Sequence, residues 1–157
     1  MSLHTFHKGG VHPPENKLTA GCGITEVELP REVIVTFSQH IGAMAHCIRQ
    51  KGDHVNRGDL IAEATGFVSA NVHTPISGTI TKIDKWKTAF GFPADTVTIV
   101  ADDSDHASDM ENIHPAELRS DEYIAGLTKE EIVSIIDNAG IVGLGGATFP
   151  TKVKLSP

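Results

Sequence analysis

The chain has 157 residues, 39% of them hydrophobic; that length fits one ordinary domain or one domain with part of a second, and the composition excludes a mainly disordered chain. Thirteen Lys and Arg against twenty Asp and Glu give a formal charge of −7, which excludes a nucleic-acid partner because phosphate binding needs concentrated basic surface. The two cysteines, Cys22 and Cys47, match no zinc, iron–sulfur or CxxC redox spacing and read as reduced thiols.

Residues 1–30 read as an extended N-terminal arm, because Gly9, Gly10, Pro13, Pro14, Gly21 and Gly23 interrupt any period. The arm holds no apolar core ahead of a cleavage site, so no signal peptide is expected. No transmembrane segment is expected either. The longest charge-free run, Ala64 to Thr81, contains Ser69, Asn71, His73, Thr74 and Pro75 and is too polar to cross a bilayer. A cytoplasmic chain that docks on a membrane complex fits these features.

Residues 31–100 alternate short β-type runs with turn clusters. Val33 to Phe37 is the first run. Lys51-Gly52-Asp53 and Asn56-Arg57-Gly58-Asp59 then bracket His54-Val55 as two tight corners, and Leu60 to Ala62 follows. Phe67 to Thr74 alternates, placing Val68, Ala70 and Val72 on one face and Ser69, Asn71 and His73 on the other. After the turn Pro75 to Gly78 come Thr79 to Ile83 and Thr96 to Val100. Roughly six such strands predict a small all-β barrel or sandwich. Trp86, Phe90 and Phe92 read as hairpin aromatics packed on that barrel, and the nine histidines, which include no HExxH pair, as surface or turn residues.

Residues 101–122 carry eight acids against one base, Arg119. Self-repulsion predicts a solvated acidic linker, and the run lacks the central Gly of an EF-hand. In residues 123–157 the period changes. Thr128-x-x-Glu131 is a capping box, Ile132, Ile135, Ile136 and Ala139 form one helical stripe, and Gly140 is the stop. That stripe needs a partner, so a second domain begins here and is not completed within the chain.

Two patterns carry chemistry. In the first, Lys51-Gly-Asp-x-Val-x-x-Gly58-Asp-Leu-Ile-x-Glu63 followed by Pro75-Ile-Ser-Gly-Thr-Ile80 resembles half of a biotinyl or lipoyl barrel-sandwich hybrid. Gly66 stands where those domains carry the acceptor Lys, and no Lys occurs from Ala64 to Thr81, so no covalent biotin or lipoate is expected. The second is Gly143-Leu-Gly145-Gly146-Ala147-Thr148-Phe149-Pro150-Thr151-Lys152-Val153-Lys154. Its glycines let backbone N–H groups converge on an anion, Thr151 is placed to cap a following helix, and Lys154 adds a point charge. The alternative is a plain interdomain turn. No Lys follows Gly145 or Gly146 as a Walker A loop requires, and a helix rather than a strand precedes the glycines, against a dinucleotide fingerprint.

This second pattern is similar to the flavin- and NADH-binding loop of the complex I flavoprotein. Together with the hybrid barrel and the opening Gly9-Gly10-Val11-His12-Pro13-Pro14-Glu15, it resembles the C subunits of Rnf ion-translocating electron transport complexes. The resemblance implies a mainly β barrel-sandwich hybrid followed by the start of an α/β flavin/NADH-binding domain. It implies an electron-input subunit working with FMN, NADH and two [4Fe-4S] clusters, peripheral on the cytoplasmic face of the inner membrane beside the other Rnf subunits. Gly143, Gly145, Gly146 and Ala147 then line the flavin phosphate and NADH, Phe149 stacks on the nucleotide, and Lys154 meets the FMN phosphate. Leu144 and Thr148 stand where the complex I loop usually has Arg and Gly. The cluster cysteines and the rest of the flavin fold are expected beyond Pro157, so the chain alone is expected to be inactive. Two other readings stand beside this one: a non-catalytic β adaptor or docking module, and a barrel like that of the A subunit of the sodium-translocating NADH:quinone reductase.

Overall fold

A computed structural model describes residues 10, 14–25, 27–87, 91–111 and 119–156. Among the described residues seven strands form two antiparallel sheets. They are β1 (Glu32–Thr36), β2 (His46–Cys47), β3 (His54–Val55), β4 (Leu60–Glu63), β5 (Val72–His73), β6 (Gly78–Lys87) and β7 (Pro93–Val100). One sheet has the order β1-β7-β6-β3 and the other β2-β4-β5. The β-branched runs of β1 and β7 pair from Glu32 opposite Val100 to Thr36 opposite Thr96. Val35, Val97 and Ile99 of this pair turn inward to meet Val55, Ile61 and Ile80 in a single core. Each such side chain taken out of water contributes about 1.5–3 kcal/mol.

The two Gly-Asp corners are built alike. Gly52 and Gly58 have φ of +97° and +88°, which only glycine adopts readily. At the first corner the Gly52 N–H donates to Ile80 O, while Ile80 N–H donates to Asp53 O. At the second, Gly58 N–H donates to Thr74 O and Thr74 N–H to Asp59 O. The carboxylates of Asp53 and Asp59 close their turns by accepting from Gln50 N at 2.8 Å and Asn56 N at 2.9 Å.

Three expectations need correction. Within Phe67 to Thr74 only Val72–His73 is strand, and Ser69, expected to face outward, is 0% exposed. Its hydroxyl donates to Ala43 O and accepts from Thr65 N, so the loop is closed by side-chain bonds that alternation does not encode. The β6–β7 hairpin extends well past the core, leaving Trp86 58% and Phe92 73% exposed rather than buried, and Phe90 lies outside the described residues. His40 is buried rather than on the surface. Its Nε2 accepts from Ala70 N at 3.1 Å, which leaves Nδ1–H to donate to Ile41 O at 3.1 Å.

The acidic run is also not a solvated linker over its first half. Residues Asp103–Glu111 form α1, which is strapped to the barrel. Asp103 pairs with Arg31 at 2.5 Å and Asp105 with His54 at 3.0 Å. Asp109, 5% exposed, accepts from both the N–H and the hydroxyl of Ser77. Residues 112–118 lie outside the described residues. Ser120 then caps α2 (Asp121–Ala125), and Thr128 caps α3 (Lys129–Asn138). The Thr128–Glu131 capping box is present, and Gly140 follows the helix at φ +65°. A short α4 (Thr151–Leu155) packs on α3, held by Lys152 Nζ to Asp137 Oδ1 at 2.8 Å.

Candidate functional site

The glycine loop is a closed structure. Val142 bridges Pro150, Gly143 N–H donates to Phe149 O at 2.9 Å, and Thr151 N–H donates to Ile141 O at 3.0 Å. Within the tip, Thr148 N–H donates to Gly145 O at 3.0 Å. Leu144 at the tip is 99% exposed. The expected site residues therefore divide into two groups. Gly143 spends its amide on the neck, and a Cβ on it would stand 3.0 Å from Lys154 Nζ; glycine there leaves room for the ammonium. Lys154 in turn lies over the Phe149 ring, 5.8 Å from its centroid, within cation–π range.

Gly145 and Gly146 form the second group. Nothing stands within 4 Å of the position a Cβ would take on either. Among the described residues their amides make no hydrogen bond within the chain, so they remain able to donate outward. Ala147 behaves differently: its carbonyl accepts from Ile41 N at 3.3 Å and ties the loop to the barrel. Thr148, at φ +42°, holds a left-handed backbone in which a β-branched residue is strained. Thr151 does not cap α4 as expected. Pro150 occupies that position without a side-chain bond, and Thr151 is already helical.

A second tie joins the barrel to the end of α3, just before the loop, and has no signature in the sequence. Asn71 Nδ2 reaches the carbonyls of Asn138 and Asp137 at 3.4 and 3.5 Å. At Gly140 a Cβ would overlap Asn71 O, so glycine serves both the helix stop and the close approach to the barrel. Among the described residues no group of three or more His, Cys, Asp or Glu is placed to hold a metal ion.

A family model described as the RnfC barrel sandwich hybrid domain matches residues 4–104, the arm and barrel together. This chain belongs to the RnfC family. The RnfC relatives agree. It is 40% identical over 152 residues to the C subunit of the ion-translocating oxidoreductase complex of Rhodobacter capsulatus, covering 95% of this chain and 28% of the relative. It is 39% identical to the C subunit of the proton-translocating ferredoxin:NAD(+) oxidoreductase complex of Clostridium ljungdahlii, covering 96% of this chain and 32% of the relative. For the C subunit of the Na(+)-translocating ferredoxin:NAD(+) oxidoreductase complex of Acetobacterium woodii the values are 39%, 98% and 33%. The chain thus spans about a third or less of the RnfC relatives it matches. No helix among its described residues is long and apolar enough to cross a membrane.

Proposed function

We propose that this RnfC chain carries the barrel and the first elements of the cofactor domain of an electron-input subunit, peripheral on the cytoplasmic face of an ion-translocating membrane complex. The observation that carries the reading is the glycine loop: its neck is closed, its Gly145–Gly146 tip is open with unspent amides, and the Lys154 ammonium stands at the neck beside Gly143 and Phe149. Backbone donors beside a fixed cation suit a phosphate, so these residues fit the phosphate end of FMN or NADH. They do not enclose a flavin ring by themselves. The apolar face formed by Tyr123, Ile124, Ile132 and Ile135 is still exposed, as expected of the beginning of a larger domain.

When bound, a flavin converts the two-electron chemistry of NADH into single-electron transfer. This chain's part is to fix the phosphate end and hold the loop against the barrel through Ile41 and Asn71. Two [4Fe-4S] clusters belong, in this reading, to the part of the RnfC relatives that this chain does not span, and the electrons pass to the other members of the complex.

The test is FMN retention by the intact protein after gel filtration. Lys154→Ala removes a charge-assisted contact of about 1.5–3 kcal/mol, roughly 10- to 150-fold in affinity. Unchanged FMN affinity in that variant returns the loop to a connector and the chain to a β adaptor.

A further inference from the structure

The outer part of the β6–β7 hairpin runs beyond the core to its last described pair, Lys87 opposite Pro93. It carries two exposed aromatic side chains, Trp86 and Phe92, and Trp86 is the one tryptophan of the chain. Among the described residues the Trp86 indole N–H has no hydrogen-bond partner. Large rings displayed on a projecting element mark contact with something outside the molecule.

The charge around these rings has the opposite sign to the chain as a whole. Lys82, Lys85 and Lys87 stand against Asp84 and Asp95, in a chain of formal charge −7. Both aspartates are held within the hairpin. Asp84 accepts from Lys82 Nζ and from the Lys85 N–H, each at 2.7 Å, and Asp95 pairs with Lys85 Nζ at 2.9 Å. Lys87 has no acidic partner among the described residues. The acidic helix α1 is fixed at the far end of the same strand, because Asp109 is bonded to Ser77, the residue before β6. The 10 residues of β6 separate that end from Lys87 by roughly 30 Å, several times the screening length of about 8 Å at physiological salt. The helix therefore leaves the lysines unmasked, and a negative surface meets the molecule hairpin first.

We propose that this hairpin end docks on an anionic lipid surface, with Trp86 and Phe92 entering the headgroup layer and Lys85 and Lys87 lying against lipid phosphates. Aromatic rings with a polar edge favour that layer, and each lysine near an anionic leaflet adds an attraction that salt weakens. The unpaired backbone groups along Thr81 to Lys87 stay hydrated there, whereas the hydrocarbon core does not admit them, so the hairpin lies on the membrane and does not span it. A protein strand added to the β6 edge fits less well, since the Lys85 N–H is already taken by Asp84. The inference takes only the placement beside a membrane from the reading above and needs no ligand at the glycine loop.

The experiment follows Trp86 emission while the chain is titrated with vesicles of phosphatidylcholine alone, or of equal parts phosphatidylcholine and phosphatidylglycerol. The anionic vesicles should shift the emission to shorter wavelength, the neutral ones should bind at least about tenfold more weakly, and added salt should release the chain. Replacing both lysines, Lys85→Gln with Lys87→Gln, should weaken binding to anionic vesicles roughly tenfold. Phe92→Ala, which keeps the reporter, should weaken it at least about fivefold. An unchanged Tm in these variants shows that the fold is kept. The inference is overturned by an absent shift, by equal binding to both kinds of vesicle, or by variants that bind as well as the unmodified chain. A shift that needs the other subunits of the complex, with vesicles alone inert, overturns it in favour of a protein contact. FMN retention is read separately, so failure here leaves the phosphate reading standing.

Discussion

The Asp109 carboxylate takes both hydrogen bonds that Ser77 offers, one from the backbone N–H at 2.5 Å and one from the hydroxyl at 2.7 Å. This couples the last turn of α1 to the turn that opens β6. Burying a carboxylate is costly unless it is hydrogen-bonded, and here both oxygens are satisfied by one residue. Asp109→Ala leaves the Ser77 N–H buried without its acceptor. The expected loss is about 1.5–3 kcal/mol, read as a lower midpoint in urea unfolding. A midpoint equal to that of the unmodified chain would show that α1 is not docked.

Glu131 gives a pH prediction. The Thr128 backbone N–H at 2.8 Å and then the Thr128 hydroxyl at 2.9 Å hold its carboxyl below its ordinary value of 4.5. A depressed folded-state value means the cap's contribution is full above pH 4.5 and is lost as pH falls through the lower, folded value. Amide exchange in α3 should therefore accelerate on acidification in that window, beyond the intrinsic pH dependence. In Glu131→Gln, which does not ionise, the extra acceleration should vanish.

Gly140→Ala tests the joint between α3 and the barrel. The left-handed backbone alone costs a non-glycine residue about 1–2 kcal/mol, and the new methyl must also displace Asn71 O. A fall in Tm of several degrees is expected. Asn71→Ala keeps the carbonyl but removes the side-chain bonds to Asn138 and Asp137 and the one accepted from Ala64 N, so it should lower the Tm without any backbone clash.

Phe149→Ala separates the two ligands of the proposed site. If its ring stacks on the dinucleotide, NADH affinity of the intact protein falls more than FMN affinity, by roughly 2- to 10-fold for one aromatic contact. Equal losses for both ligands would instead mark Phe149 as a support for Lys154.

Features set by neighbours in the chain were legible from sequence. Gly52 and Gly58 turn where a Gly-Asp pair predicts, and Thr128 caps α3 through Glu131 at the expected spacing. The glycine loop, the hybrid-barrel motif and the opening Gly9 to Glu15 together likewise pointed to the RnfC family. What escaped depends on distant partners. Asp103, Asp105 and Asp109 look unpaired until folding brings Arg31, His54 and Ser77 to them. Ser69 turns inward because Ala43 O awaits it, and the loop-to-barrel ties through Ile41 and Asn71 join residues with no shared motif. Thr148 holds, at φ +42°, a left-handed backbone that glycine favours and that a β-branched residue does not signal.

The long β6 strand has one more consequence, for solubility. β3 and the Gly52–Asp53 corner cover it only from Gly78 to Ile80, so among the described residues Thr81 to Lys87 forms an open sheet edge of the kind that invites pairing with another molecule. That stretch carries Lys82, Asp84, Lys85 and Lys87, all exposed. Bringing two such edges together would force their lysines against one another. The charges that make the hairpin look like an ordinary polar loop therefore also guard the barrel against edge-to-edge aggregation.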